Sequence, residues 1–161
     1  MKTYTLAQLI AKNTVKYPFS HTSLQKLLNI DSDLVDVIFK VAEHIDLRIV
    51  QGYRSPEEQN ALFMAHKSSK DGYIKKSKHQ TGRAIDILPL PRGINMYNPQ
   101  DRDNATRWSY FVGFFQATAL SMNIKIRTGW KWRTTPMNVL KRPIASNTLP
   151  DANHLEIIRT P

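Results

Sequence analysis

The sequence predicts a single α+β domain, a small antiparallel sheet with flanking helices, and three observations carry that reading. The chain has 161 residues, the size of one ordinary domain whose core needs no staples. Its apolar fraction of 41% and charged fraction of 22% are those of a chain that folds, and no repeat, low-complexity run or Gly/Ser-rich linker divides it. Helical and strand-like segments follow one another without the βαβ regularity of a parallel sheet. The whole of 1–161 is therefore read as one domain.

Residues 1–19, "MKTYTLAQLIAKNTVKYPF", hold only a broken apolar run, interrupted by Gln8, Lys12 and Asn13. That is not a signal peptide. "TSLQKLLNI" reads as a short helix or turn. In "DSDLVDVIFKVAEHI" the residues Leu34, Val37, Ile38, Val41 and Ile45 recur at helical spacing, with Asp31 or Ser32 as the cap. "DLRIVQGYR" is a strand, since β-branched Ile49 and Val50 end at Gly52. "SPEEQNALFMAH" opens a helix with Ser55 at the N-cap, Pro56 at the first position and Glu57 and Glu58 in the first turn.

"DGYIKKSKHQTG" reads as a loop, in which Lys75, Lys76 and Lys78 most simply face solvent. "RAIDILPL" is a strand closed by Pro89 and Pro91, with Ile85 and Ile87 on the face opposite Asp86. "PRGINMYNPQDRDNA" is a loop and "TRWSYFVGFFQATALSMN" a long, aromatic core helix. "IKIRTGW" is again a strand, "RTTPMNVLKRPIASNTLP" a long loop, and "NHLEIIR" the final strand. No window approaches the apolar length of a membrane span, so a soluble product made in the cytoplasm is expected.

Composition narrows the chemistry. The chain has no cysteine, which removes disulfides, thiolate metal sites and a cysteine nucleophile and leaves histidine and carboxylate as metal ligands. A formal charge of +10 predicts a polyanionic partner: nucleic acid, an anionic membrane or an anionic cell wall.

The stretch "SKHQTGRAIDI" puts His79 and Asp86 on either side of a Thr-Gly break. In "PDANHLEII", His154 and Glu156 share one strand face while Leu155 and Ile157 share the other. Two histidines and one carboxylate make a ligand set of the catalytic zinc type, which leaves a fourth position for water. Asp151, three residues before His154, could hold a second carboxylate against that water. Taken singly, a His or Asp is more often a surface or hydrogen-bonded residue than a ligand, and His21, His44 and His66 are read so. For His79, Asp86 and His154 the joint placement at strand ends beside Gly and Pro turns favours ligation, but spacing alone leaves both readings open.

The pattern S-x-H-x-x-G-x-A-x-D (Ser77, His79, Gly82, Ala84, Asp86) followed by D-x-x-H-x-E (Asp151, His154, Glu156) resembles the zinc peptidases that cut peptidoglycan stem peptides. These are D-Ala-D-Ala carboxypeptidases, vancomycin-resistance D,D-peptidases and bacteriophage L-alanyl-D-glutamate endolysins. The resemblance runs from about Leu24 to Ile158 and includes "VQGYRS" with Gln59, and "RTGWKW", similar to the family's Gly-x-x-Trp strand end. Hedgehog signalling domains share the fold and ligand pattern, so the resemblance implies a hedgehog/D-Ala-D-Ala peptidase-like fold. It further implies Zn2+ on His79, Asp86 and His154, Asp151 as catalytic base and Arg54 near the scissile carbonyl. Two departures, Lys131 for a common acidic residue and Asn153 for Pro or Gly, touch no implied ligand.

Glu156 is then a candidate to orient a metal-bound histidine, with a surface salt bridge as the plain alternative. Ser77 and Gln59 could hydrogen-bond a substrate carboxylate or amide, or serve as local caps. Trp130 and Trp132 border the cleft or belong to the core. The expected protein is a monomeric phage endolysin. It would be held in the host cytoplasm without a signal peptide and reach the periplasm or cell wall at lysis, where its substrate is bacterial peptidoglycan. A D-alanyl-D-alanine carboxypeptidase is the alternative within the family. A small basic nucleic-acid-binding protein is the alternative outside it, but no nucleic acid is expected: Asp33 and Asp36 occupy the helix that would have to read bases.

Overall fold

The computed structural model describes residues 1–90, 103–129 and 153–159. The chain runs α1 (Leu6–Lys12), α2 (His21–Lys26), α3 (Ser32–Ala42), β1 (Leu47–Gln51), α4 (Pro56–Met64), a 3-10 turn (Lys78–Thr81) and β2 (Ala84–Pro89). It continues through α5 (Asn104–Ser121), β3 (Ile126–Thr128) and β4 (His154–Ile157). The strands form one sheet in the order β1-β2-β4-β3 with every neighbouring pair antiparallel. This is the expected α+β architecture, and no described helix is long and apolar enough to cross a membrane.

Period-two alternation sorts the sheet. Ile49, Ile85, Ile87, Leu155 and Ile157 enter the core, where α3 supplies Leu34, Val35, Val37, Ile38 and Val41 and α5 supplies Trp108, Phe111, Val112, Phe115 and Ala119. The α5 aromatics stack edge to face, with ring centres 5.7 Å apart for Trp108–Phe111 and 5.6 Å for Phe111–Phe115. The core takes the apolar face of α3 and leaves Asp33, Asp36 and Lys40 on its outer side. Of these, Asp36 accepts a hydrogen bond from the Tyr4 hydroxyl at 2.8 Å.

Three local readings need correction, and one stretch that carried no reading of its secondary structure is helical. Residues 1–19 contain the helix α1, opened by a capping box in which Thr5 and Gln8 satisfy each other's backbone. The polar residues that break the apolar run give that helix its outer face and leave Leu9 buried. The helix read from residues 31 to 45 ends at Ala42, because the chain must turn before Leu47 to enter the sheet. Within the stretch read as a loop, Ser77 caps the 3-10 turn with Gln80 as its reciprocal partner. The loop reading over 91–105 gives way to α5 at Asn104, while its part in 91–102 and the loop reading in 133–150, together with Trp130, Lys131, Trp132 and Asp151, lie outside the described residues.

Two glycines let the backbone pack where a side chain could not. Gly52 lies against the carbonyl of Lys26, whose ammonium also reaches Ile49 O at 3.3 Å. With Ser23 accepting from Ile49 N at 3.4 Å, α2 covers the free edge of β1. Gly82, in the left-handed region at φ 64°, ends the 3-10 turn with its Cα over the carbonyl of Asn29. Beside it, Asp31 caps α3, accepts Arg159 at both carboxylate oxygens and donates its N–H to Gly82 O at 2.8 Å. Gly113, exposed in α5, has open space where a Cβ would go. Gly82→Ala is therefore expected to cost more than about 1 kcal/mol, while Gly113→Ala should add about 0.5–1 kcal/mol. Urea unfolding midpoints measure both, and a Gly82→Ala chain as stable as its parent would remove the constraint argued for this turn.

Candidate metal centre

The strand register builds the site. Asp86 on β2 stands directly opposite His154 on β4, and their side chains meet with Nδ1 of His154 3.1 Å from Oδ1 of Asp86. The 3-10 turn between Ser77 and Gly82 swings His79 over the same point. Its Nε2 lies 3.3 Å from His154 Nδ1 and 3.5 Å from Asp86 Oδ1. A four-coordinate ion with bonds of about 2.0–2.2 Å keeps its ligand atoms about 3.3–3.6 Å apart. The three atoms are at or just inside that spacing, so the donor set fits a zinc-sized cation. Among the described residues, these three side chains are the group that could hold a metal ion in this way.

The remaining ring nitrogens are already committed. His79 Nδ1–H donates to the carbonyl of Gly52 at 2.8 Å, which leaves the Nε2 lone pair facing the shared point. His154 Nε2 faces Oε2 of Glu156 at 3.5 Å, which leaves Nδ1 for that point. Each imidazole thus has its tautomer set by a partner outside the triangle. Burial by itself would raise the Asp86 carboxyl, but the hydrogen bonds and charges of His154 and His79 outweigh it and hold it well below the usual carboxylate range. Burial likewise opposes ionisation of Glu156, and His154 and Arg127 overcome it.

Each carboxylate has a guanidinium behind it. Arg54 places a terminal nitrogen 3.9 Å from Asp86 Oδ2 and donates through the other to Gln59 Oε1 at 2.8 Å. Gln59 is fully buried, and its amide nitrogen donates to Ser68 Oγ and to Lys70 O, both at 2.8 Å. Of the two roles read for Gln59, substrate contact gives way to support of Arg54, because its amide is used inside the protein. Ser77 likewise acts as a cap: its Oγ accepts from His79 N at 3.3 Å and fixes the turn that carries the histidine. Glu156 is buried, and Arg127 donates to it through Nε at 2.8 Å.

Arg127, Ser68 and the Gly52 carbonyl escaped the sequence reading. Arg127 follows from the register, which sets it opposite Glu156 on the adjacent strand, but alternation within "IKIRT" gives only its face and not its neighbour. His44 sits away from the site against Phe114, with ring centres 5.7 Å apart, and His21 and His66 are exposed. Asp151 lies just before the described start of β4, so no contact is assigned to it.

Three comparisons bear on this geometry. The sequence model of the phage L-alanyl-D-glutamate peptidase family matches residues 15–158. The L-alanyl-D-glutamate peptidase of Escherichia phage T5 is 31% identical over 123 residues, which span 75% of this chain and 85% of that protein. The crystal structure of the Serratia marcescens L-Ala D-Glu endopeptidase ChiX superposes with a TM-score of 0.64 at 21% identity, covering 91% of this chain and 94% of that one. This last likeness concerns the fold.

The dependence of Arg54 on a buried amide is testable. Gln59→Leu keeps approximate volume but leaves Arg54, Ser68 and the Lys70 carbonyl without their partner, so a loss of about 1–3 kcal/mol in urea unfolding is expected. Unchanged stability would show that the Gln59 bonds are dispensable to the fold.

Proposed function

The chain belongs to the phage L-alanyl-D-glutamate peptidase family, and from that membership we propose that it is a zinc-dependent endolysin cleaving the L-Ala–D-Glu amide of peptidoglycan stem peptides. It is a peptidoglycan hydrolase by family. The observation that carries the zinc part is the triangle of His79 Nε2, His154 Nδ1 and Asp86 Oδ1, with all three lone-pair atoms turned to one point.

Bound by those three atoms, zinc would bring the pKa of a water to about 7 and polarise the scissile carbonyl. The chain's own groups supply the rest. Asp151 takes a proton from the attacking water and passes it to the departing nitrogen of D-glutamate as the C–N bond breaks, leaving an L-alanine carboxylate and a free amine. Arg54, held by Gln59 and only loosely paired with Asp86, places a fixed positive charge where the carbonyl oxygen becomes an oxyanion. Glu156, anchored by Arg127, keeps the His154 ring from rotating its ligating nitrogen away. The enzyme would leave the host cytoplasm at lysis to reach the wall.

Purified protein is expected to carry one zinc per chain by elemental analysis, and His79→Ala, Asp86→Ala or His154→Ala to lose both metal and wall hydrolysis. Full zinc in the His154→Ala protein would refute the ligand set. Mass spectrometry of digested peptidoglycan should find new L-Ala carboxyl and D-Glu amino termini, and release of free D-alanine instead would identify a carboxypeptidase.

A separate substitution isolates the base. Asp151→Asn should retain zinc and the fold while turnover falls by about 10²–10⁴-fold. Turnover close to the parent's would reassign the proton transfer to another group.

A further inference from the structure

The helix α4 is built inside out. Its one buried residue is the polar Gln59, whereas Phe63 and Met64 are exposed, Met64 at 69%. An ordinary surface helix does the reverse. Close by, the chain forms a turn at Asp71–Lys75 whose tip is apolar: Ile74 is 90% exposed and Tyr73 55%.

That tip is held in place. One Asp71 carboxylate oxygen accepts from Tyr73 N and Ile74 N at 2.7 Å and from Lys75 N at 3.1 Å. Gly72, at φ 88°, packs against Pro56 and its carbonyl accepts from Gln80 at 2.7 Å. Asn60 on α4 donates to Asp71 O at 2.9 Å. Met64 lies one helical turn beyond Asn60 on the same face, so the apolar end of α4 lies toward the side of the helix that bonds the Asp71 turn.

Cations surround it. Lys67, Lys70, Lys75, Lys76 and Lys78 are all exposed, and of these Lys75 lies near enough to Asp71 to help hold its carboxylate ionised. Asp71, the acidic residue of this stretch, has its carboxylate turned into the turn's own N–H groups, which hold it ionised and occupied. Glu57 and Glu58 stand in the first turn of α4, at the end away from Phe63 and Met64, so it is the C-terminal end of the helix and the turn that join positive charge to protruding hydrocarbon.

We propose that α4 and the Asp71–Lys75 turn form a docking surface for an anionic phospholipid bilayer, with Ile74 and Tyr73 entering the headgroup–acyl boundary and the five lysines pairing with lipid phosphates. The charge alone would suit any polyanion. A nearly fully exposed isoleucine and an exposed methionine suit one that has a hydrocarbon layer beneath its charges, which wall polymers and nucleic acids lack. Tyrosine, with an apolar ring and a polar tip, fits the boundary between the two. The surface flanks Arg54 and His79 in sequence through Tyr53 and Lys78, so docking would hold the hydrolytic site beside the membrane, next to the wall it faces.

The test does not depend on hydrolysis or on bound metal. The 161-residue chain is sedimented with vesicles of phosphatidylethanolamine containing about 30% phosphatidylglycerol, and with phosphatidylcholine vesicles as the neutral control. Binding to the anionic vesicles alone is expected. Lys75→Gln together with Lys76→Gln should weaken it by roughly fivefold per charge removed, and Ile74→Ser by about tenfold. The same neutralisation at the remote, exposed Lys16 and Lys125 should do less. Because the chain has no cysteine, Ile74→Cys can carry a single polarity-sensitive dye, whose emission should shift to the blue on binding. An unshifted dye in vesicle-bound protein, an Ile74→Ser protein that binds like its parent, or equal losses at the remote lysines would each overturn the proposal. So would variants that keep vesicle binding but lose binding to purified wall sacculi, which would assign the surface to the wall.

Discussion

The site depends on one register, the pairing that sets Asp86 opposite His154 in adjacent antiparallel strands. A slip of one residue would turn Asp86, His154 and Glu156 toward the core and push Ile85, Ile87, Leu155 and Ile157 outward. Each of those four side chains is buried and contributes about 1.5–3 kcal/mol by being so. Charged groups moved into their place would have to shed their hydration without partners. The hydrophobic face of the sheet therefore fixes the polar face, and the ligand geometry is a by-product of core packing that neither histidine has to maintain alone.

His79 is placed differently. It sits on a short 3-10 turn, an element with little cohesion of its own, and its position rests on backbone contacts at both ends. Gly82 lets the turn close over Asn29, Ser77 caps its start, and the Gly52 carbonyl holds the ring from behind. Two close backbone approaches, at Gly52 and Gly82, thus tie the turn to α2 and to the entry of α3. Around the triangle the charges nearly balance: Asp86 and Glu156 bring two negative charges, Arg54 and Arg127 two positive. The pairing is unequal, however. Arg127 is bonded directly to Glu156, whereas Arg54 stands 3.9 Å from Asp86 and is held chiefly by a neutral amide. A guanidinium fixed by a neutral partner keeps most of its field for whatever enters the cleft.

What could be read from the sequence follows the range of the interactions. Strands with period-two alternation, the Ser55-Pro56 helix start and the positions of His79, Asp86 and His154 are local patterns, and the structure brings those three side chains together. The helix α1 is equally local in origin, but its single buried apolar residue, Leu9, gives it no periodic stripe, and the Thr5–Gln8 capping box is its only sequence mark. Gln59 and Ser77 were visible as polar residues near the motifs, yet their partners decide their roles. Gln59 bonds to Arg54, Ser68 and Lys70 across a fold of the chain that no periodicity announces. Arg127 meets Glu156 only because β3 pairs with β4, which also reaches across to β2, so that the sheet runs β1-β2-β4-β3. Strand order is a long-range property, and a residue whose meaning depends on it stays hidden until the pairing is known.

The helix α4 shows how polar bonding can release apolar side chains for other uses. Its stability rests on the Ser55–Glu58 capping box, on Pro56 at its start and on the bonds of Gln59 and Asn60 to the residues that follow it. None of these needs Phe63 or Met64. A helix anchored by hydrophobic burial would have to turn those side chains inward, and Gln59, with the Arg54 it supports, would then face solvent. Holding the guanidinium beside Asp86 thus dictates which face of α4 points in, and that choice leaves its apolar residues on the outside. Gln59, which holds Arg54, and the exposed Phe63 and Met64 thus lie on two faces of the same short helix, so the orientation of one fixes the orientation of the other.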